Sequence, residues 1–334
     1  MRKILITGGA GYIGSHCSLE LLKKDFDVCI FDNLSSGHFE IVKKLGEYKN
    51  FSFIQGDLKN YDEINKAFKQ NNFSSVIHFA GYIEVGESVI DPQKYYYNNI
   101  LGSLNLFRAM IENNVKKIVF SSTAAVYGNP EYTPINEEHP KNPINPYGRT
   151  KLQIEEILSD YDTAYGMKSI KLRYFNVAGA NSDGITGEWH DPETHLIPNI
   201  LKSSLGEQKE FCLFGTDYET KDGTCIRDYV NVEDLAEAHI LATEYLLKQN
   251  SSQEINLGTN NGNSVKEIFE ICEKLTGKKI PIKPCPKRAG DSPILVADNK
   301  KAKTVLNWSP KRTLEQSIQT AFDWEKIKQK KYVQ

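Results

Sequence analysis

The chain has 334 residues, 25% of them charged, and a formal net charge of −2. This length suffices for one large domain or two ordinary ones. The nearly neutral balance offers no basic surface, so we expect no nucleic-acid partner. No apolar run approaches the ~20 residues that cross a bilayer. The apolar start meets glycine too early for a signal peptide, so we expect no membrane partner.

The six cysteines are scattered along the chain without a C-x-x-C pair. This spacing predicts reduced, buried thiols in a cytoplasmic protein, and neither a disulfide framework nor a zinc site. We therefore expect no bound metal.

Short apolar runs rich in β-forming residues recur along the first half, and helix-length segments separate them. They lie near residues 3–7, 27–32, 51–57, 75–81, 116–123 and 169–176. The runs are almost continuously apolar, which is typical of strands covered by helices on both faces. The alternation predicts an α/β fold with a Rossmann-type doubly wound parallel sheet.

The rhythm breaks after Asn176, where "VAGANSDGITGEWHDPETH" predicts a long loop. Shorter elements follow, with helices expected near residues 196–205, 232–247, 264–276 and 314–328. We predict a cofactor-binding domain over residues 1–176 and a smaller α+β substrate lobe over 177–334. Residues 228–260 are expected to pack back on the first domain.

A glycine-rich turn follows the first predicted strand. Gly8, Gly11 and Gly14 form G-x-x-G-x-x-G at a helix start, where amide N–H groups and the positive helix end can receive a pyrophosphate. Asp32 ends the second strand 18 residues after Gly14, where a carboxylate holds the adenosine ribose hydroxyls. That carboxylate would repel a 2′-phosphate, so the combination predicts NAD and not NADP.

Two further strand ends point to the same groove. Asp57 follows the third strand, where it can meet the adenine edge. The fourth strand ends in Phe79, Ala80 and Gly81, where the cleft of a doubly wound sheet opens.

The predicted chemistry lies on the fifth strand and the helix after it. Thr123 ends the strand, while Tyr147 and Lys151 lie one helical turn apart in "INPYGRTK". A phenol titrates near ~10, so a base at neutral pH needs about three pKa units of lowering, or ~4 kcal/mol. One positive charge at ~4 Å supplies about that much. Lys151 provides one charge and bound NAD⁺ a second, so Tyr147 can act as an acid–base group beside Thr123.

These residues resemble the extended short-chain dehydrogenase/reductase family. Longer motifs are similar, in order and spacing, to its UDP-glucose 4-epimerase branch over essentially the whole chain. They are "HFAGYIEVGES", "FSSTAAVYG", "NPYGRTK", "LRYFNVAGA", "DGTCIRDYV" and "KRAGD".

The resemblance implies epimerisation at C4 of a UDP-hexose. Tyr147 would take the proton of the sugar 4-hydroxyl while a hydride passes to NAD⁺. The 4-keto sugar would turn over and take the hydride back on its other face, so NAD would stay bound. The resemblance also implies cofactor contacts from Tyr12, Ile13, Asn33, Leu58, Asn98 and Tyr174, besides the groups named above.

The resemblance places the nucleotide half of the substrate in the second lobe. It implies diphosphate contacts from Asn176 and Leu196, and uracil contacts from Cys212 and Phe214. It further assigns phosphate contacts to Arg227 and Arg288, and a ribose contact to Asp291. A homodimer formed through paired helices of the large domain is also expected.

Three positions depart from the family pattern. Ile83 stands where many members have a lysine that contacts the ribose beside the nicotinamide. His195 stands where asparagine is common, beside the sugar and diphosphate. Leu295 replaces a tyrosine that often walls the sugar pocket, so a 2-acetamido group fits more easily. We therefore predict that UDP-GlcNAc and UDP-GalNAc are substrates as well as UDP-glucose and UDP-galactose.

Two other functions compete with epimerisation. A 4,6-dehydratase needs an acid and a base directly after the hydroxyl residue, and Ala124 and Ala125 occupy those positions. A UDP-sugar decarboxylase remains open. A non-catalytic nucleotide sensor would need the glycines and neither Tyr147 nor Lys151.

Overall fold

The computed structural model describes residues 2–207, 210–287 and 292–332. The strands are β1 (Lys3–Thr7), β2 (Asp27–Asp32), β3 (Phe51–Gln55), β4 (Phe73–His78), β5 (Lys117–Thr123), β6 (Lys168–Tyr174), β7 (Asn176–Ala178), β8 (Phe211–Phe214), β9 (Ile226–Arg227), β10 (Tyr229–Asn231), β11 (Gln253–Leu257), β12 (Asn263–Ser264), β13 (Ile282–Cys285) and β14 (Ile294–Leu295).

The α-helices are α1 (Tyr12–Lys23), α2 (Phe39–Leu45), α3 (Tyr61–Lys69), α4 (Val85–Ile90), α5 (Pro92–Tyr95), α6 (Leu101–Glu112), α7 (Pro146–Tyr165), α8 (Leu196–Leu205), α9 (Val232–Gln249), α10 (Val265–Thr276), α11 (Lys300–Leu306) and α12 (Leu314–Tyr332). A π-helical turn, Tyr96–Ile100, joins α5 to α6, and a 3₁₀ turn, Ala124–Val126, follows β5.

Seven parallel strands form the main sheet in the order β11-β6-β5-β4-β1-β2-β3. The order reverses at β1, which has β2 on one side and β4 on the other. The predicted doubly wound α/β fold is confirmed. A reversal of this kind opens a crevice at the carboxyl ends of the strands, which is where such sheets bind ligands.

Both faces of the sheet are covered. Along β1, Ile4 and Ile6 belong to one apolar core and Leu5 to another, and all three are fully buried. Successive side chains of a strand point to opposite faces, so a strand buried on both sides must be apolar throughout. This burial explains the continuous apolar runs in the sequence.

The chain returns to the main sheet after leaving it. Helix α9 packs against α1, and β11 pairs in parallel with β6. Helices α8, α10 and α12 instead surround a separate apolar core that includes Ile200, Phe269 and Ile318. The domain boundary at residue 176 stays a prediction.

Three strands end earlier than predicted, and one of them is β6, which ends at Tyr174. β3 ends at Gln55, and the carboxylate of Asp57 then accepts the backbone N–H of Lys59, which turns the chain out of the sheet. β4 ends at His78, where Phe79 and Ala80 both donate their N–H groups to the carbonyl of Thr7. The turn after β4 places Phe79 and Ala80 over the end of β1, and the turn after β3 places Asp57 beside the end of β2.

No disulfide joins the six cysteines, all of which lie in the described ranges, but not all of these side chains are buried. Cys17, Cys29, Cys225 and Cys272 are buried, whereas Cys212 and Cys285 are half-buried. The prediction of uniform burial is wrong because those two cysteines lie on β8 and β13, which form a small two-stranded sheet.

Candidate active site

The start of α7 is fixed by a side-chain cap and by a close backbone contact. Asn145 caps the helix, its side-chain oxygen accepting the N–H of Gly148 at 2.8 Å, and Pro146 is the first helical residue. A Cβ on Gly148 would lie 2.6 Å from the carbonyl oxygen of Ala125. The helix start therefore rests directly on the turn after β5, which brings Tyr147 to the end of that strand.

The three residues predicted for catalysis converge there. Tyr147 hydrogen-bonds the side chain of Thr123, and both are about nine-tenths buried. The ammonium nitrogen of Lys151 lies 6.0 Å from the centre of the Tyr147 ring and donates to the carbonyl of Ser121 at 2.9 Å. A hydroxyl, a phenol and an amine thus share one pocket.

Burial sets the ionisation of this pocket. Desolvation raises the pKa of Tyr147 to about 12, although the hydrogen bond from Thr123 opposes the change. Desolvation lowers the pKa of Lys151 to about 8, although the charge of Glu155 opposes the change. The protein's own groups raise the Tyr147 pKa. The lowering predicted from the sequence therefore requires the second positive charge, that of oxidised nicotinamide.

A buried ion network that the sequence did not reveal lies beneath Lys151. Glu155, one turn further along α7, accepts hydrogen bonds from Arg173 on β6 at 2.9 and 2.5 Å and from Ser122 on β5 at 2.5 Å. Arg173 also donates to Glu254 on β11 at 2.7 Å. The network ties the catalytic helix to three neighbouring strands. The i+4 spacing of Lys151 and Glu155 was the available signal, since it puts both on one helical face.

The glycine turn shows the form needed by a pyrophosphate. Gly8 has φ +72°, and a Cβ there would lie 2.6 Å from the amide nitrogen of Ala80. A Cβ on Gly14 would lie 2.2 Å from the carbonyl of Gly8, so packing requires both glycines. Gly11 differs, because its Cβ would meet only Gly8, at 3.5 Å, and its φ of −82° suits any residue. Packing does not require a glycine there, but close approach of a ligand to the backbone does.

The predicted adenosine end of the groove carries two carboxylates whose pKa values shift in opposite directions. Asp32 at the end of β2 accepts the N–H of Ala10 at 3.0 Å and of Leu34 at 2.8 Å, and burial raises its pKa. Asp57 accepts a hydrogen bond from Asn33 at 3.1 Å and pairs with Lys59 at 3.0 Å. Burial raises the pKa of Asp57, but these contacts have the larger combined effect and lower it. The predicted residues Asp32, Asn33 and Asp57 thus lie together, and they fit the two ends of an adenosine.

The other predicted cofactor residues are spread over the end of β4, the start of α1, the end of β6, the loop after β3 and the π-helical turn. A Cβ on Gly81 would lie 3.7 Å from the ammonium of Lys151, which links the end of β4 to the catalytic pocket. Phe79 and Tyr174 both contact the ring of His239. The hydroxyl of Tyr12 donates to the carbonyl of Gly179 at 2.5 Å. Ile13 is half-buried against the core of the sheet, Leu58 is buried, and Asn98 lies in the π-helical turn.

Three residues predicted to bind substrate are joined through short strands. Leu295 on β14 is the register partner of Arg227 on β9, and Asn176 donates its N–H to the carbonyl of Asp228 at 2.9 Å. Leu295 also packs on an apolar cluster that includes Ala124, directly after Thr123. The structure therefore brings Asn176, Arg227 and Leu295 close together, with Leu295 beside the turn that follows Thr123.

The remaining predicted substrate residues lie on β8 and at the start of α8. Cys212 and Phe214 occupy the less buried face of β8, alternating with buried Phe211 and Leu213. His195 is the N-cap position of α8, and Leu196 is its first residue. The predicted contacts from Arg288 and Asp291 lie outside the described residues.

Sequence reasoning also missed a cluster in the loop before α8. Glu188, His190, Glu193 and His195 bring their side chains together, with all four candidate ligand atoms within 4.8 Å of one another. Burial lowers the pKa of His190, but the neighbouring carboxylates of Glu188 and Glu193 raise it to about 10. The spacing of these residues follows no helical or strand period, so nothing in the sequence marked them as a group.

The fold and the site define a class. A doubly wound sheet, a glycine turn at its switch point and a Thr–Tyr–Lys set at adjoining strand ends are the arrangement of an NAD-dependent short-chain dehydrogenase/reductase. A family model described as GDP-mannose 4,6 dehydratase matches residues 5–321. The UDP-glucose 4-epimerase of Lactobacillus helveticus is 50% identical over 331 residues, which cover 99% of each chain.

Two solved structures give the same result. UDP-glucose 4-epimerase from Brucella ovis, in complex with NAD, superposes with a TM-score of 0.91 and 41% identity over 97% of this chain and 98% of that one. The UDP-Glc/GlcNAc 4-epimerase of Campylobacter jejuni gives a TM-score of 0.86 and 42% identity over 98% and 100%. The chain belongs to the UDP-glucose 4-epimerase family.

Within the described ranges, no helix combines the length and the apolar character that crossing a membrane requires.

Proposed function

We propose that the chain interconverts UDP-glucose and UDP-galactose by NAD-dependent epimerisation at C4 through a transient 4-keto sugar. The observation that carries this proposal is the convergence of Tyr147, Thr123 and Lys151 at the end of β5, beside the glycine turn. The proposal is also supported by sequence, because this chain is 50% identical to a UDP-glucose 4-epimerase over 99% of its length.

When bound beside this pocket, NAD⁺ would supply an acceptor for the hydride of C4 and, once reduced, a donor for its return to the opposite face of the sugar ring. Tyr147 takes the proton of the 4-hydroxyl and gives it back when the ring has turned. Thr123, which hydrogen-bonds Tyr147, is placed to hold the same sugar oxygen. The two half-reactions cancel, so no net oxidation remains.

Lys151 and the cofactor together make the phenol basic enough. At 6.0 Å from the Tyr147 ring centre, one ammonium stabilises the phenolate by about 3 kcal/mol at an effective dielectric near ~20. That is about two pKa units. Burial is the largest of the effects by which the protein's own groups hold the pKa of Tyr147 at about 12, so the charge of the oxidised nicotinamide is needed to lower it. We infer that the site becomes active only when the cofactor is oxidised.

The UDP half of the substrate is assigned to the short strands beside the pocket. Arg227 is buried and joined in register to Leu295, and a planar guanidinium fits a phosphate. Asn176 and Leu196 complete the diphosphate contacts, while Cys212 and Phe214 present the less buried face of β8 to the uracil. The contacts of Arg288 and Asp291 stay predictions.

A product assay tests the reaction. Purified protein, with and without added NAD, is incubated with each of the four UDP-hexoses, and NMR resolves the C4 epimers. We expect UDP-glucose and UDP-galactose to reach one common equilibrium mixture from either side. A 4-keto-6-deoxy product would instead identify a dehydratase, a function that Ala124 and Ala125 after Thr123 do not support. Loss of carbon dioxide from UDP-glucuronate would identify a decarboxylase.

A second activity, on UDP-GlcNAc and UDP-GalNAc, is favoured by Leu295. This half-buried leucine packs beside Ala124, where a tyrosine would fill more of the pocket. The Campylobacter jejuni relative is named for both sugars. We expect Leu295→Tyr to lower turnover of UDP-GlcNAc about tenfold or more relative to UDP-glucose, about 1.4 kcal/mol of discrimination. Absence of any UDP-GlcNAc turnover by the parent protein would end this proposal.

We further propose a homodimer formed through the helices around the π-helical turn. A groove there is lined by Tyr96, Tyr97, Ile100, Leu101, Leu104 and Gln153, and Tyr97 is 60% exposed. An aromatic side chain left so exposed beside other apolar groups is typical of an interface. Light scattering on the parent and on Tyr97→Glu, expected to be monomeric, tests the assignment. Free thiols support the proposed cytoplasmic location.

A further inference from the structure

The loop that precedes α8 carries two histidines and two glutamates in a compact group. The Nδ1 atom of His190 lies 3.5 Å from the Oε1 of Glu188 and 3.6 Å from the Oε1 of Glu193. The Nδ1 atom of His195 lies 2.5 Å from the Oε1 of Glu188 and 3.7 Å from the Oε1 of Glu193. The four residues span only eight positions of the chain, so one short segment supplies them all.

These separations match a tetrahedral metal centre. Zinc bonds to imidazole nitrogen and carboxylate oxygen are about 2.0–2.2 Å long, which puts neighbouring ligand atoms roughly 3.4 Å apart. Three of the four nitrogen–oxygen separations are 3.5–3.7 Å. The fourth, between His195 and Glu188, is a hydrogen bond that a metal ion would replace.

Two atoms of the cluster lack the partners that burial demands. Among the described residues, the Nδ1 of His190 and the Oε2 of Glu193 are buried without a hydrogen-bond partner. The Glu193 side chain is only 2% exposed. Buried polar atoms are almost always satisfied by protein, water or an ion, so these two point to a ligand between them.

We propose that Glu188, His190, Glu193 and His195 bind one zinc ion. Two carboxylates and two neutral imidazoles balance the ion's charge, as a buried site requires. Imidazole nitrogen suits zinc and disfavours magnesium and calcium, which select oxygen. Four protein ligands leave no open position, so the zinc is structural and takes no part in the chemistry.

The surroundings hold the ligands in place, as the outer contacts of metal sites do. The Oε1 of Glu193 accepts the backbone N–H of Thr194 and of His195, each at 2.9 Å. The carbonyl of Glu188 accepts the indole N–H of Trp324 at 2.9 Å. Coordination through Nδ1 leaves the Nε2 of His195 for the substrate contact predicted from the sequence.

The zinc would fasten a loop that covers the cofactor turn. Trp189, inside the cluster, stacks on His38 with ring centres 3.8 Å apart, and His190 meets the edge of Tyr12 at 6.4 Å. The hydroxyls of Ser15 and Thr186 also bond across this contact at 2.6 Å. A metal that fixes residues 188–195 therefore fixes the segment resting on α1, where the pyrophosphate binds.

Zinc titration of the full chain tests the proposal. Protein stripped with a chelator is titrated with zinc chloride against a chromophoric zinc chelator, with circular dichroism as a check on folding. We expect one equivalent bound and about a 100-fold loss of affinity in Glu193→Gln. Two controls should bind like the parent. Glu47→Gln removes an exposed carboxylate. Cys285→Ser removes one of the two neighbouring thiols, Cys212 and Cys285, that could bind zinc at a competing site.

Cobalt substitution decides the matter even if Glu193→Gln fails to fold. Co²⁺ bound to the stripped parent should show the visible d–d absorption of a four-coordinate site without thiolate charge-transfer bands. Hydrogen exchange in residues 181–195 should slow when zinc is added. A stripped parent that takes up no zinc, a cobalt spectrum with thiolate bands, or zinc affinity lost in Cys285→Ser and kept in Glu193→Gln would each overturn the proposal.

Discussion

The two sides of the site are held in different ways. Tyr147 and Lys151 lie on a helix of twenty residues, and Thr123 ends a strand inside the main sheet. Glu188, His190 and His195 lie instead in a loop, held by polar contacts among their own side chains. Groups that move protons therefore lie on regular elements of the sheet and its helices, while the histidine and glutamate cluster depends on the conformation of a loop.

Removing the phenol should have the largest effect on the side built from the sheet and its helices. We expect Tyr147→Phe to lower kcat about a thousandfold, within the range for loss of an acid–base group, while the bound NAD stays in place. Tyr165→Phe is the matched control, because the same substitution on the exposed end of α7 lies far from the pocket. Turnover by progress assay and NAD content by absorbance measure both. Retention of parental kcat by Tyr147→Phe would mean that a sensor or another acid–base group must be considered.

Breaking the ion network should loosen the side built from the sheet and its helices. Glu155→Gln leaves Arg173, fully buried, with a weaker partner, and we expect about 3 kcal/mol less free energy of unfolding. Glu156→Gln, the next residue on the exposed face, should change stability little. Urea unfolding followed by circular dichroism measures both variants. Equal midpoints for the two would show that the network carries no net stability.

Two glycines of the turn serve different purposes, since Gly14 is required by packing and Gly11 by the approach of a ligand. Gly11→Ala should fold with near-parental stability, because its Cβ meets only one atom at ordinary contact distance, yet bind NAD about tenfold more weakly, ~1.4 kcal/mol. Gly14→Ala, where the Cβ would overlap the Gly8 carbonyl, should lose stability instead. Thermal melts and NAD titration distinguish the two outcomes. Undiminished NAD affinity in Gly11→Ala would place the pyrophosphate elsewhere.

The smallest effect concerns acid stability. Burial opposes ionisation of Glu254, but Arg173, Lys171 and Lys141 lower its pKa to about 2. A depressed carboxylate pKa stabilises the fold above the unfolded value of ~4.3 and loses that contribution as pH falls toward 2. Glu254 is partly exposed, so we expect a screened contribution of about 1 kcal/mol. In urea unfolding, the difference in free energy of unfolding between the parent and Glu254→Gln should narrow from pH 7 to pH 3. A difference that stays constant would refute a stabilising role for ionised Glu254.

The sequence predicted the regular part of the molecule well. Continuous apolar runs located six of the seven strands of the main sheet, and the helix predicted at 196–205 matches α8. Periodicity could not reveal Arg173, which is buried in β6 because Glu155 and Glu254 come from distant parts of the chain. The return of β11 to the sheet was expected only as a segment packing back, since its five residues carry no signal of a partner strand.

On the loop side, resemblance predicted only His195, and sequence reasoning missed Glu188, His190 and Glu193. Spacing alone gave no reason to group Glu188 with His190 and His195, because their proximity arises from a loop conformation without a repeat. Arg227 and Leu295 meet because β9 and β14 pair, although 68 positions separate them in the chain. Such contacts depend on tertiary register, which local sequence does not encode.

The contact between Gly148 and Ala125 has a consequence for how this enzyme can diverge. The distance between the phenol and the threonine hydroxyl is set where the backbone at Gly148 touches the backbone at Ala125, with no side chain between them. Residues around the pocket can thus be exchanged to admit other sugars without retuning the reacting pair. Reaction and specificity are thereby free to evolve separately, provided that position 148 never gains a methyl group.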